Sequence, residues 1–81
     1  MKAFVVGIRR GIDFTSDDGK HISGSKLHIE YVDENVDGKA VMALFVPSDV
    51  KTSHVVPNKE YDFIYQNGFG RRPRLVEVRS V

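Results

Sequence analysis

The sequence contains no cysteine and no tryptophan, and only three prolines. The absence of cysteine excludes a disulfide framework, a thiolate metal site and a thiol nucleophile. Long apolar runs are also missing, since the longest stretch without a charged residue covers only residues 40–48, far below the roughly 20 residues that span a bilayer. The opening segment, MKAFVVGIRR, is too short for a secretory signal. We therefore expect a soluble, cytoplasmic protein with no membrane partner.

What is present fits one small globular domain. The chain has 81 residues, of which 41% are hydrophobic and 28% are charged, close to the averages for soluble domains. A core of this size, without cross-links, only just offsets the conformational entropy that is lost on folding. We therefore expect a homodimer. Its expected contact elements are the loop that carries Phe69 and the last strand, which follows that loop, because both are apolar and follow a tight turn.

The net charge of +1 hides an uneven distribution of charge along the chain. Residues 1–12 carry +3 and residues 66–81 carry +3, whereas residues 13–65 carry −5. If the fold brings the two ends together, one face is basic, as in proteins that bind polyanions. The alternative is that scattered surface charge is uneven by chance. All six arginines lie in the two ends: Arg9, Arg10, Arg71, Arg72, Arg74 and Arg79.

Five segments have the composition and alternation of β-strands. The second alternates Leu27 and Ile29 with polar residues and is expected to bulge near Gly24. The third is apolar on both faces, as in a central strand, and in the fifth Val76 and Val78 are expected to share a face. The five segments cover residues 2–8, 21–32, 39–46, 61–66 and 74–79.

This pattern predicts an all-β fold, a five-stranded OB-type barrel, with an SH3-like barrel as the other candidate. One long irregular connection, residues 47–58, joins strands 3 and 4. Ser48 is a candidate cap for a short helical turn at its start. Closure into a barrel would remove the sheet edges that a small all-β protein otherwise exposes.

The sequence offers no catalytic constellation. Its three histidines, His21, His28 and His54, lack a convincing partner, and no HExxH, GxSxG, P-loop or EF-hand pattern occurs. The acidic residues of segment 33–37 have the composition of a solvated hairpin tip and lack the ligand spacing of a calcium loop. We therefore expect no enzyme, no cofactor, no metal site and no small-molecule substrate.

The most informative segment is NGFGRRPR, residues 67–74. Phe69 lies between two glycines, which contribute no packing and favour a sharp turn, so its ring is expected to be exposed. An exposed ring beside Arg71, Arg72 and Arg74 can stack on a base, worth about 1–3 kcal/mol, while the guanidinium groups hold neighbouring phosphates. The alternative is that Phe69 covers the mouth of the barrel or packs on a partner subunit.

The tyrosines are the other aromatic candidates. Tyr61, Phe63 and Tyr65 occupy one face of strand 4, which favours a core stripe with the hydroxyl groups at its rim. Tyr31 lies at a strand end beside a polar turn. This rim position suits either packing or a platform for a base.

Three segments of the chain resemble the filamentous-phage helix-destabilising proteins, the small dimeric gene V type family that binds single-stranded DNA. They are FTSDDGKHISG after the first strand, LHIEYVDEN before the third, and the GFGRRPRLVEVR ending. Together with the chain length and strand order, the resemblance covers nearly the whole chain. It implies an OB-type barrel, a two-fold dimer and cooperative coating of single strands without sequence preference.

The resemblance also implies roles for individual residues. Phe69 matches the loop aromatic that stacks on bases, and Tyr31 matches a tyrosine in the family's YVD segment. Arg74 or Arg79 matches the basic residues of the family's last strand.

The chain departs from the family in the segment that matches its binding wing. The family has arginines and an exposed tyrosine there, whereas this chain has DDGKHI, residues 17–22. The expected phosphate contacts therefore shift toward Lys20, Lys26, Arg9 and Arg10.

These observations predict a non-enzymatic, sequence-independent single-stranded DNA-binding protein of a phage or mobile element, acting in DNA replication. An RNA-binding OB domain is one alternative, because stacking does not discriminate between the sugars. A small β-barrel adaptor that contacts a protein through the acidic middle and the tyrosine strand is another. Only a nucleic-acid binder should bind heparin or an oligonucleotide reversibly with salt, so a polyanion challenge separates the two classes.

Overall fold

The computed structural model describes residues 1–67 and 72–81, and these form one antiparallel β-sheet of five strands. The all-β prediction is therefore confirmed. Within the described residues there is no helix, and so none that is long and apolar enough to cross a membrane. The strands are β1 (Lys2–Thr15), β2 (His21–Tyr31), β3 (Ala40–Pro47), β4 (Lys59–Gln66) and β5 (Arg74–Ser80).

The sheet curls around a single hydrophobic core. Leu27 and Ile29 of β2 are buried, as their alternation predicts, because side chains two positions apart on a strand share a face. Phe63 of β4 is the largest fully buried side chain in the part of the chain that the structure describes. Every strand contributes to the buried cluster, which comprises Ala3, Val5, Leu27, Ile29, Val46, Val50, Val55, Tyr61, Phe63, Leu75 and Val78.

The sheet is open, whereas the sequence predicts a closed barrel. Its order is β3-β2-β1-β4-β5, and the two edge strands do not pair with each other among the described residues. The long connection between β3 and β4 is confirmed at residues 48–58, but it packs Val50 and Val55 into the core. The connection thus covers apolar surface that a closing pair of strands would otherwise cover. Its start is a tight turn, in which Val50 N–H donates to the Pro47 carbonyl at 3.0 Å, and not the helical turn expected at Ser48.

The strand β1 is longer than its composition predicts. The expected end is at Ile8, but the strand continues through RRGIDFT. A register shift between Arg9 and Ile12 inserts one extra residue into β1, and Gly11 there has a φ of 73°, which glycine adopts without a steric penalty. The irregularity expected near Gly24 of β2 therefore lies on the opposite strand, where it bends β1 without ending it.

The strand β3 lies at an edge of the sheet, whereas its apolar character predicts a central position. Val46 is buried in the core, but Val41 is 71% exposed, and Met42 and Ala43 are also exposed. Val41 and Ala43 share the face of β3 that points away from the core, and this face therefore carries apolar side chains at the surface.

A register shift also changes which residues of β5 face the core. Ile64 pairs with Glu77, and the next residue, Tyr65, pairs with Leu75. Val76 is therefore one extra residue in β5. Leu75 and Val78 are consequently both buried, whereas Val76 is 39% exposed. The expectation that Val76 and Val78 share a face is wrong because of this bulge.

The aromatic stripe of β4 is confirmed as core packing for two of its three members. Tyr61 and Phe63 are buried, and Tyr65 is exposed. The hydroxyl of Tyr61 accepts a hydrogen bond from Val56 N–H at 2.9 Å and donates to the carbonyl of His54 at 3.3 Å. Tyr61 and Phe63 are therefore not accessible to a protein partner.

Candidate nucleic-acid interface

A row of two cations and one aromatic crosses three strands on the outer face of the sheet. In the strand register Arg9 of β1 is opposite Lys26 of β2, and Lys26 is opposite Phe45 of β3. Residues directly opposite each other project to the same face. The next row, which includes the buried Leu27, faces the core. Arg9, Lys26 and Phe45 therefore project outward together, and we call them the outer row.

Each member of the outer row presents a different chemical group to solvent. Arg9 is exposed, and Lys26 and Phe45 are partly buried. Lys26 lies between its two cross-strand neighbours, so its methylene stem is covered while the ammonium group can reach water. Among the described residues, neither Arg9 nor Lys26 forms an ion pair. Two unpaired cations beside an aromatic ring suit a phosphate backbone with an accessible base.

Gly24 is the residue that makes room for Phe45 in this row. A Cβ at Gly24 would lie 2.9 Å from Cζ of Phe45 and 2.2 Å from the carbonyl oxygen of Val46. The ring of Phe45 thus lies against the backbone of β2. Because Gly24 has no side chain, β2 and β3 can lie close together at this point and the ring of Phe45 can occupy this position.

The outer face is cationic at one end and acidic at the other. His28 occupies the next outward position of β2 after Lys26, and it is directly opposite Gly7 of β1. Its ring lies over this glycine, since a Cβ added to Gly7 would be 3.6 Å from Cδ2 of His28. Two positions further, Glu30 is opposite Phe4, which is also opposite Glu60 of β4. Because phosphates avoid carboxylates, a polyanion is favoured at the outer-row end of this face.

The β1–β2 hairpin carries Lys20, but it is not uniformly basic. The Lys20 ammonium lies 4.0 Å from a carboxylate oxygen of Asp18. A hydrogen bond from the Ser16 hydroxyl, with a second from the backbone of Lys20, lowers the pKa of Asp18. Across the ladder, Nε2 of His21 lies 2.7 Å from Oδ1 of Asp13. Asp18 thus offsets the charge of Lys20, and Asp13 occupies a ring nitrogen of His21.

Two of the predicted arginines are engaged with the β3–β4 connection. Arg10 donates to the carbonyls of Thr52 at 3.1 Å and Val55 at 2.7 Å. Arg74, at the start of β5, donates to Oδ2 of Asp49 at 2.8 Å. Both side chains therefore link a strand to the connection that completes the core.

Arg79 lies in a separate charged row. It bonds to both carboxylate oxygens of Glu77, at 3.1 and 3.2 Å, and this contact lowers the pKa of Glu77. Arg79 is opposite Asp62, which is opposite Lys2 of β1. This row brings one cation from each end of the chain together around Asp62. Lys2 and Arg9 are separated by roughly 20 Å of strand, so this row is distinct from the outer row.

The other predicted residues differ in their surroundings. Tyr31 is partly buried and packs against the core, which matches the packing alternative for its rim position. Arg72 is exposed just before β5. Phe69 and Arg71 lie outside the described residues. Of the ten predicted contact residues, the strand register places Arg9 and Lys26 directly opposite each other.

Phe45 is the member of the outer row that the sequence reasoning does not single out. The signal was the apolar character of residues 39–46 on both faces. This pattern predicts a central strand, although an edge strand with an exposed apolar face has the same pattern.

Comparison with known proteins adds no further identification: no family model, no curated protein and no solved structure matches this chain.

Proposed function

We propose that this protein binds single-stranded nucleic acid, with DNA as its ligand, through the outer row. Arg9 and Lys26 neutralise phosphates, and the ring of Phe45 stacks on a base. The observation that carries the proposal is the register that aligns these three side chains across β1, β2 and β3. Neither stacking nor phosphate contact reads base edges, so the binding is independent of sequence.

The strand arrangement supports a partly open OB-type barrel. The sheet curls around one core, and its edge strands β3 and β5 run parallel in the order β3-β2-β1-β4-β5. OB-folds bind oligonucleotides on the face of strands 2 and 3 and through the loops that join strands 1–2 and 4–5. In this chain the loop between strands 1 and 2 carries Lys20, the segment between strands 4 and 5 has Phe69 in its sequence, and the strand face includes Lys26 and Phe45.

The proposed class within this fold is the gene V type, on the resemblance of the GFGRRPRLVEVR ending. Such a protein is a non-enzymatic, helix-destabilising homodimer of a phage or mobile element that coats single strands during DNA replication. Stacking of Phe69 and phosphate contact by Arg71 and Arg72 stay predictions of this proposal.

The ring of Phe45 accounts for a preference for single strands. A base can stack on a protein ring only when it is not stacked between its neighbours in a duplex. The cations, by contrast, attract any phosphate backbone. The aromatic and the cationic members of the outer row therefore make separable contributions to binding.

The test is a fluorescence titration of a labelled oligo-dT, with unlabelled poly-dT and duplex DNA as competitors. Replacing Phe45 by leucine should weaken binding by about 1–3 kcal/mol, because the stacking of one base is lost. The salt dependence should not change, because no charge is removed. Lys26→Gln should reduce the log-log salt slope by about 0.7. Val76→Ala and Lys39→Gln are matched controls, since both residues are exposed, Val76 lies on the other edge strand, β5, and Lys39 comes just before β3.

The outcomes separate the alternatives. Equal affinity for duplex DNA, or binding that does not respond to salt, would contradict the proposal. If the two controls weaken binding as much as Phe45→Leu and Lys26→Gln do, the outer row is not the site. A parallel titration with oligo-rU decides between DNA and RNA.

A further inference from the structure

The free edge of β3 is the less protected of the two sheet edges. Natural sheets guard exposed edges with charged side chains, proline or bulges, because unpaired N–H and C=O groups recruit another strand. The opposite edge strand, β5, contains Arg74, Glu77 and Arg79 within seven residues and a bulge. In contrast, β3 has the sequence AVMALFVP, with no charge and with a proline only at its last position, and its ladder with β2 has no register shift.

The register identifies which backbone groups face the free edge of β3. Ser48 N–H donates to the carbonyl of Ser23 at 3.0 Å, and the ladder is regular from that point back to the start of β3. Hydrogen-bonding direction alternates along an antiparallel strand. The backbone groups of Val41, Ala43 and Phe45 therefore point away from β2. Within the described residues no strand pairs with them.

We propose that this edge pairs in antiparallel fashion with the same edge of a second copy of this chain, about a two-fold axis at Ala43. In that register Ala43 is opposite the partner's Ala43, and Val41 is opposite the partner's Phe45. Each of these pairs exchanges both N–H···O bonds, because all three residues face the edge.

The sequence of β3 is self-complementary in this register, which is why the occupant is a second copy. On the outer face the small Ala43 lies at the axis, and Val41 packs beside the larger Phe45. On the other face Met42 lies opposite the partner's Leu44. Every cross-strand pair is apolar, so no charge is desolvated and no like charges meet. A two-fold axis generates such an isologous contact from one patch.

The pairing would join the two sheets and place both outer rows on one continuous face. Phe45 and Val41 are four residues apart, so the two Phe45 rings would be about 13 Å apart along the strands. The pairing itself does not depend on nucleic-acid binding. It also differs from the expectation that β5 and the loop with Phe69 form the dimer contact.

The first test is sedimentation velocity without nucleic acid on the wild type, Ala43→Lys and Val76→Lys. Ala43 and Val76 are exposed on the two edge strands, so both variants should fold, as circular dichroism will show. Two lysines opposite each other at the axis would repel, so Ala43→Lys should be a monomer. The wild type and Val76→Lys should be dimers. A monomeric wild type, a dimeric Ala43→Lys or a monomeric Val76→Lys would each overturn the proposal.

Hydrogen exchange provides a second measurement that needs no variant. In the dimer the amides of Val41, Ala43 and Phe45 should be protected, and dilution below the dimer dissociation constant should remove that protection. The amides of Met42 and Leu44 bond to β2 and should stay protected in both states. Fast exchange at Val41, Ala43 and Phe45 in a demonstrated dimer would refute the pairing, even if Ala43→Lys does not fold. Oligo-dT binding is measured separately, so a failure of either proposal is recognised on its own.

Discussion

Substitution of Gly24 by alanine tests the close approach of β2 and β3. The added Cβ would lie 2.2 Å from the carbonyl oxygen of Val46, 2.9 Å from Cζ of Phe45 and 3.1 Å from Cα of Pro47. Two of these three neighbours are backbone atoms of β3, so a side-chain rotation cannot relieve the contact. We therefore expect the end of the β2–β3 ladder to shift and Phe45 to leave its position in the outer row.

The expected loss of stability is that of an overpacked site, about 1–3 kcal/mol. For a domain of this size each kcal/mol lowers the melting temperature by about 4–8 °C. Gly7→Ala is the matched control, because Gly7 lies in the neighbouring strand and neither glycine has a positive φ. Its added Cβ would be 3.6 Å from His28, an ordinary contact. Alanine there should therefore be neutral or stabilise the protein by about 0.4–1 kcal/mol.

The assay is thermal and urea unfolding of both variants at one protein concentration, followed by circular dichroism. Oligo-dT titration of the folded proteins then reports on the outer row, where Gly24→Ala should weaken binding and Gly7→Ala should not. If the two variants unfold together with the wild type, the steric reasoning about Gly24 is wrong. Loss of stability without any loss of binding would instead remove Phe45 from the proposed site.

Two further predictions concern the arginines that the fold engages. Arg10→Ala should lower the free energy of unfolding by about 1–3 kcal/mol, because it removes charge-assisted hydrogen bonds to the carbonyls of Thr52 and Val55; unchanged urea unfolding would contradict this. Arg79→Ala should raise the pKa of Glu77, which its guanidinium holds below the ordinary value. Because the pKa of Glu77 is lower in the folded protein, its contact with Arg79 stabilises the fold at pH values above the ordinary pKa of glutamate, and this stabilisation is lost as the pH falls through the folded pKa. An NMR titration of Glu77 that is identical in both proteins would refute the coupling.

The alternation of residues predicted most of the strands and much of the core. Leu27 and Ile29 are buried because every second residue of a strand shares a face. The extension of β1 could not be predicted in the same way, because Arg9-Arg10-Gly11 has the composition of a strand exit. Its continuation depends on pairing with β2 around a bulge, which is a property of two strands together.

Local composition also could not distinguish an edge strand from a central one. Residues 39–46 are apolar on both faces, and only the sheet order shows that no strand covers the far side of β3 among the described residues. The prediction that Val76 shares a face with Val78 was wrong for a related reason, because a single bulge in β5 reverses the alternation of faces on one side of the bulge.

The sequence by itself determined the all-β class, the five strands, the long β3–β4 connection and the type of residue available for binding. Only the tertiary structure decided which of these residues meet. Arg9, Lys26 and Phe45 are far apart in the chain and form one row because of the register of two ladders. Arg10, next to Arg9, bonds to the β3–β4 connection instead. The physical reason is that composition fixes the chemistry of each side chain, whereas register, bulges and sheet order fix its neighbours.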